Sequence, residues 1–364
     1  MKKLCYITYD FFLDVDYPIV RELNKLYKVY WIVFSRISPE QRYTQEEVIE
    51  YAKKNNIDLE IIKVTSRFRS LKHLISSFYC TLRLRRLKAD IYYYQEFTDP
   101  YIPLFARLFL STKKIVVGVH DVTNHKKDNS LFRRLTKTFY TNTFKNYHIY
   151  SESQKQTFLL NHPKKNILMA RLTLKDFGPA KKITASEKTN FLFFGAIEYY
   201  KGLDYLIEAA NLLAKEFDNF TVTIAGYAKD FSPYNKLIRN PSYFNLIIKI
   251  IPNDEIADLF VNSDFLVQPY RDVTQSGPLK IAYNYNLPSI ASDFPGFREY
   301  IKDGITGYLF EPKNYLALYE VMKTVLKQSG EVRTEIKNNI KLFSEKELRL
   351  GQIIGQYTNF FEKL

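Results

Sequence analysis

Short apolar runs alternate along the chain with amphipathic stretches. In the first half KLCYITYD, YKVYWIVFS, LEIIKVTS, ADIYYYQ, KKIVVGVHD and NYHIYSES read as strands. Between them the spacing predicts a helix over Asp16–Leu26, with Asp16 as N-cap and Pro18 in the first turn. Further helices are predicted near 44–55, 67–88 and 100–110, and over SQKQTFLLN. The polar run KKITASEKTN (181–190) reads as a linker, after which the alternation restarts. FLFFGAI, FTVTIAGY, NLIIKII, FLVQPY, PSIAS and GYLFEP are strands there, with GLDYLIEAANLLAKEF, NDEIADLFVNS and 278–286 as helices. Such alternation predicts right-handed βαβ units and parallel sheets. The expected architecture is α/β: two doubly wound, Rossmann-like domains, 1–180 and 181–344, facing a central cleft at the carboxyl ends of their strands.

Composition adds limits. A chain of 364 residues suits two domains, and 46% hydrophobic residues suffice for two cores. Two cysteines, Cys5 and Cys80, make no disulfide framework and point to a reducing compartment. Asp10, Asp14 and Asp16 interrupt the N-terminus too early for a signal peptide, and no apolar run reaches the roughly 18 residues of a membrane span.

The net charge of +14 is unevenly placed. Residues 1–180 hold 31 Lys and Arg against 17 Asp and Glu, whereas 181–364 hold 22 of each. A polyanionic partner of the first half follows, or else a merely soluble basic surface. Nucleic acid fits the charge but has no recognisable motif. SRFRSLKHLISSFYCTLRLRRLK (66–88) has seven basic residues, including Arg83, Arg85 and Arg86, and no acid. Leu71, Leu74, Ile75, Phe78 and Leu82 form its apolar stripe. The stretch 125–145 adds Lys126, Lys127, Arg133, Arg134, Lys137 and Lys145. A basic amphipathic helix lies on an anionic membrane or buries its stripe on the sheet; both hold if the stripe is core and the basic face docks.

Two stretches carry candidate chemistry. In FLFFGAIEYYKGLDYLIEA (191–209) Gly195 ends a strand, and Lys201 and a helix N-terminus follow, a pattern suited to phosphate. TQSGPLK (274–280) is a turn before a helix, without carboxylate or histidine. Together with AGYAKD, PNDEIADLFVNSDFLVQPY and NLPSIASDFPGFREYIKDGITGYLF, these stretches resemble the C-terminal half of retaining nucleotide-sugar glycosyltransferases of family 4, the glycosyltransferases group 1, over roughly 190–325. The first half matches in pattern only, with ADIYYYQE and KKIVVGVHD resembling the family's acceptor-side strand and histidine. Residues 345–364 are similar to the helix that crosses back to the first domain in such enzymes.

The resemblance implies the GT-B fold and transfer of a sugar from a nucleotide donor, a UDP- or GDP-sugar, to a lipid-linked or growing glycan acceptor. It implies work in bacterial surface polysaccharide synthesis at the cytoplasmic face of the membrane. Lys201 matches the diphosphate-binding lysine beside Gly195, and Gln275, Ser276 and Gly277, with Pro278 opening the helix, match the loop whose amides face the diphosphate. Arg271 would add a second cation, and Glu299 falls on the donor side. His120 matches the histidine near the transferred sugar, with Asp121 orienting it or capping a helix, and Asp14 lies on the acceptor side. No metal is expected, because cationic side chains meet the leaving diphosphate; Asp14-Val15-Asp16 has the spelling of a metal motif but sits at a helix start. No Cys/His cluster has zinc spacing.

The departures are specific. Ala196 stands where relatives carry arginine, Val273 and Ile281 where they carry two glutamates, and Phe11–Tyr17 where they carry a glycine-rich loop. These favour, as an alternative, a catalytically degenerate accessory protein. A sugar-nucleotide epimerase of the same fold would need more carboxylates and histidines in its cleft.

Overall fold

The computed structural model describes residues 1–36, 43–67, 70–122, 131–184 and 186–364. They form two units: Met1–Thr173 with Leu350–Leu364, and Leu174–Arg349. Unit 1 contains β1 (Lys3–Tyr9), α1 (Leu13–Asn24), β2 (Lys28–Ser35), α2 (Gln45–Lys54), β3 (Asp58–Lys63), α3 (Leu71–Arg86), β4 (Ile91–Tyr94), α4 (Ile102–Phe109), β5 (Ile115–Val119), α5 (Leu131–Thr143), β6 (Asn146–Ile149), α6 (Glu152–Asn161) and β7 (Asn166–Met169). Unit 2 runs β8 (Thr189–Phe194), α7 (Leu203–Leu213), β9 (Phe220–Ala225), α8 (Ser232–Asn235), β10 (Phe244–Ile247), α9 (Asn253–Val261), β11 (Phe265–Gln268), α10 (Gly277–Asn284), β12 (Ser289–Ser292), α11 (Pro295–Arg298), β13 (Gly307–Phe310), α12 (Tyr315–Lys327) and α13 (Gly330–Glu347). The last helix, α14 (Leu350–Phe361), returns to unit 1.

Seven strands order as β3-β2-β1-β4-β5-β6-β7 and six as β10-β9-β8-β11-β12-β13, every pairing parallel. These are two doubly wound α/β sheets, each reversing its strand order beside its first strand. The expected strands all form. β7 was not anticipated: it is a half-exposed edge strand, so NILM carries no long apolar run. α5 was not anticipated either, its periodicity being masked by polar and basic residues.

Three expectations change. Helix α1 begins at Leu13, after a 3-10 turn over Asp10–Phe12, and Asp16 is not its cap. Asp16 is fully buried and accepts a 2.7 Å hydrogen bond from the Tyr6 hydroxyl. The run 181–190 is not a free linker. Asp258 accepts from the amides of Lys181 and Lys182, Asn262 accepts from that of Thr184, and Thr189 and Asn190 already lie in β8.

The third change concerns α3, whose buried face is His73, Ser77, Thr81 and Leu84 rather than the apolar stripe. The cause is Asp99, just before α4. Its carboxylate lies 2.7 Å from His73 Nε2 and 2.8 Å from Ser77 Oγ, and accepts from the amides of Tyr101 and Ile102. This polar pin rotates α3. Leu71 and Tyr79 are left 71% and 64% exposed, and Phe78 packs edge-on against Phe105 and Phe109 of α4.

A buried polar network joins α14 to the sheet of unit 1. His148 of β6 donates from Nε2 to the Ala170 carbonyl at 2.8 Å, which leaves Nδ1 as an acceptor. The Tyr93 hydroxyl lies 2.7 Å from that Nδ1 and 2.7 Å from Oε1 of Gln95. The Tyr357 hydroxyl of α14 reaches Nδ1 at 3.3 Å, while Ile353, Ile354 and Phe361 join the core around Trp31.

Two predictions follow from this packing. A Cβ on Gly118 of β5 would stand 2.1 Å from the Gln95 carbonyl oxygen and 2.8 Å from the Tyr150 hydroxyl. Gly118→Ala should therefore lower the unfolding free energy by about 2–3 kcal/mol in urea titrations. Burial lowers the His148 pKa to about 3, so the folded protein holds it neutral while the unfolded chain protonates it near pH ~6.5. Its contribution is complete above the unfolded value and is lost as pH falls toward the folded one. Between pH 6.5 and 5 wild type should lose about 1.7 kcal/mol through this group, and His148→Gln should flatten that span of the stability profile.

Candidate functional site

In unit 2 the strand order reverses between β8 and β11, so the loops leaving those neighbouring strands diverge and open a crevice at their carboxyl ends. Gly195 follows β8 with φ +103°, a conformation that side-chain-bearing residues rarely adopt. A Cβ there would stand 2.9 Å from Nζ of Lys201 and 3.9 Å from the Pro278 ring. A 3-10 turn over Tyr199–Lys201 folds the lysine back toward that glycine. Lys201 is only 7% exposed, and its ammonium lies 5.9 Å from the Tyr270 ring centroid. The buried ammonium and the start of α10 therefore meet at the space that Gly195 leaves open.

The start of α10 is built from below. Ser276 is its N-cap, accepting from the Leu279 amide at 3.2 Å, and Gln268 at the end of β11 donates from Nε2 to the same hydroxyl. A Cβ on Gly296 would stand 2.8 Å from the Thr274 carbonyl, so α11 presses directly on the loop before α10. Glu299 caps the C-terminal end of α11 and is half-buried. Lys280, the last residue of TQSGPLK, faces inward: it is fully buried, with its ammonium 2.8 Å from the Tyr300 ring centroid.

Arg271 has partners that the sequence did not reveal. Its guanidinium donates to the Tyr199 carbonyl and to Oδ2 of Asp204, each at 2.5 Å, and lies over the rings of Tyr199 and Tyr205 at 4.0 and 4.4 Å. The structure thus makes it a brace for the turn that carries Lys201, because Asp204 and the two rings occupy its charge. A residue that sequence reading missed is Lys175. A Cβ on Gly277 would stand 3.2 Å from its Nζ, so a second ammonium borders the first turn of α10. No motif includes Lys175; a single lysine in a polar stretch gives no signal. At the positions of the missing glutamates, Ile281 is buried in the core and Val273 packs against it, while Ala196 is exposed.

In unit 1 His120 directly follows β5, half-buried between two rings: Phe12 at 4.3 Å and 12°, Tyr150 at 4.1 Å and 19°. Phe12 belongs to the 3-10 turn that stands in place of a glycine-rich loop, so that turn covers one face of the imidazole. The carbonyls of Asp121 and Val122 accept from Nζ of Lys137 at 2.6 and 2.8 Å, and burial lowers the pKa of that lysine. Asp14 is half-buried in the first turn of α1.

Of the basic residues, Arg83 pairs with Glu60 at 2.8 Å, and Arg85, Arg86 and Arg134 are exposed. Lys126 and Lys127 lie outside the described residues, as does the side chain of Arg133. Among the described residues no three His, Cys, Asp or Glu side chains gather into a group able to hold a metal, and no helix is long and apolar enough to cross a membrane.

Residues 175–343, nearly all of unit 2, match the family model for Glycosyl transferases group 1. Among curated proteins the chain is 24% identical over 177 residues to an uncharacterized 41.2 kDa protein in the cps region of Klebsiella pneumoniae, a match that covers 48% of this chain and 47% of that protein. The chain thus spans about half the length of the curated relatives it matches. Solved structures match from end to end. A glycosyltransferase from Rickettsia africae superposes with a TM-score of 0.74 at 15% identity, covering 100% of this chain and 98% of that one. The Anabaena protein HepE, crystallised with UDP and glucose, gives 0.75 at 13%, covering 100% of both. Unit 2 thus matches the group 1 glycosyltransferase family over nearly its whole length, and the chain as a whole has the GT-B fold.

Proposed function

We infer that the protein is a retaining glycosyltransferase that moves a hexosyl group from a nucleotide-sugar donor to a lipid-linked or growing glycan acceptor. The observation that carries this reading is the buried Lys201 ammonium beside Gly195, whose open Cβ position also touches Pro278 in the first turn of α10. Breaking a sugar–diphosphate bond builds negative charge on the leaving phosphate. A cation and the positive end of a helix, fixed in advance, stabilise that charge without reorganising. The same groups leave no need for a metal at the diphosphate. UDP is bound in the Anabaena relative, which supports a uridine donor as the first to test. His120, fixed between two rings, is the residue of unit 1 proposed to lie near the transferred sugar, with Asp121 and Asp14 on the acceptor side. A role in surface polysaccharide assembly draws on the cps-region relative.

We place the acceptor-side docking surface on the outer faces of α3, α4 and α5. α3 packs on α4, and α4 on α5. Leu71, Ile75 and Tyr79, Leu104 and Leu108, and Leu131 and Leu135 are all exposed there, beside Lys72, Arg85, Arg86, Arg107 and Arg134. Exposed apolar side chains interleaved with cations fit an anionic membrane surface at the cytoplasmic face. The accessory-protein alternative draws on Ala196, Val273 and Ile281, none of which can hold a ribose or a phosphate by charge.

Thermal-shift titration with UDP-, GDP-, ADP- and TDP-sugars should raise the melting temperature with at least one of them. Lys201→Ala should abolish that shift and cut transfer by about 10²-fold while leaving the protein folded, as judged by a cooperative ligand-free melting transition. Equal shift and turnover in the variant would refute the diphosphate role. Replacing Arg83, Arg85 and Arg86 with glutamine should weaken cosedimentation with vesicles containing phosphatidylglycerol by at least about tenfold. Unchanged binding would rule out α3 as the docking face.

A further inference from the structure

The motif for a phosphate-binding pair is incomplete in this chain: Ala196 is exposed where a second cation would be expected, and Arg271 is taken up by Asp204, Tyr199 and Tyr205. The structure brings another cation to the place. Nζ of Lys175 lies 3.2 Å from the position of a Cβ on Gly277, and Nζ of Lys201 lies 2.9 Å from that of a Cβ on Gly195, itself against Pro278. The Lys175 ammonium thus borders the Gly277–Pro278 turn at the positive end of an eight-residue helix, and the Lys201 ammonium lies beside the glycine that this turn touches. We propose that Lys175 is the second diphosphate-binding cation of unit 2, replacing from the chain segment before β8 the charge that the β8 loop lacks. The proposal rests on the reading of unit 2 as a nucleotide-sugar site.

Two further observations point to a ligand at this turn. Gln268, 1% exposed, donates to the Ser276 cap, yet its Oε1 has no hydrogen-bond partner among the described residues. Both amide atoms of Gln275, adjoining the cap, are likewise buried and unpartnered. Such groups cost free energy until something polar meets them. The carboxylate of Asp176, next to Lys175, accepts from Gly178 N and from Nδ2 of Asn284, at the opposite end of α10. The placement of Lys175 is itself fixed, since its amide donates to the Lys280 carbonyl at 3.4 Å. Lys280 is in turn anchored on Tyr300. Two cations and a helix dipole at one turn favour a ligand with two adjacent negative groups over one with a single phosphate.

The test is calorimetric titration of the intact protein with UDP, GDP, ADP and dTDP and with the four matching monophosphates. Lys175→Ala should weaken the diphosphate that binds by about tenfold, leave its monophosphate within about twofold, and so shrink the ratio between them. Lys175→Arg should restore most of the ratio, and Lys175→Gln, which keeps much of the stem, should behave as the alanine variant does. A purely structural lysine would weaken both nucleotides alike, or neither; either result overturns the proposal. Should wild type bind none of the four diphosphates, the donor-site reading falls and this inference with it. Should wild type bind one and Lys175→Ala keep the same ratio, this inference alone falls.

Discussion

An ammonium is expensive to bury, and Lys201 is buried beside a glycine that has room for it. Much of unit 2 serves that placement. Gly195 takes a backbone conformation that frees the space above the end of β8. The 3-10 turn reverses the chain so that the lysine points back. Arg271, clamped by Asp204 and two tyrosine rings, holds the turn from the neighbouring strand. Ser276, supported by Gln268, opens α10 so that its positive end meets the same space.

The doubly wound sheet explains why the parts meet. Residues 195–201 and 269–277 are far apart in sequence, but β8 and β11 are neighbours at the point where strand order reverses. The pattern of apolar runs made this much legible: it specifies strands, helices and their alternation, and alternation of that kind admits few arrangements. It could not reveal β7, whose edge position removes the need for a long apolar run. It could not reveal which side of α3 faces the sheet either. An apolar stripe states that one side is greasy; the inward face was decided by Asp99, 26 residues from His73, through hydrogen bonds that no periodicity records.

The same division holds for the site. The nearness of Lys201, Gly195 and the Ser276–Pro278 turn was legible because each sits inside a motif whose spacing encodes its geometry. Arg271 was legible as a cation but not as a brace, since its partners come from the turn after β8 and the start of α7, some 70 residues earlier. Lys175 carried no signal, and Lys280 looked like part of the exposed turn until its ring partner Tyr300 appeared. Side chains whose role depends on one distant partner are the ones that a linear reading misplaces.

The central claim is that the first turn of α10, beside Lys201, receives the diphosphate of a nucleotide. A crystal structure of the protein soaked with UDP or GDP tests it most directly. The account predicts both phosphates against the Gly277–Pro278 turn, within hydrogen-bond reach of Lys201 Nζ. A nucleotide bound with its phosphates away from that turn, and with Lys201 still turned onto Gly195 and Tyr270, would contradict it.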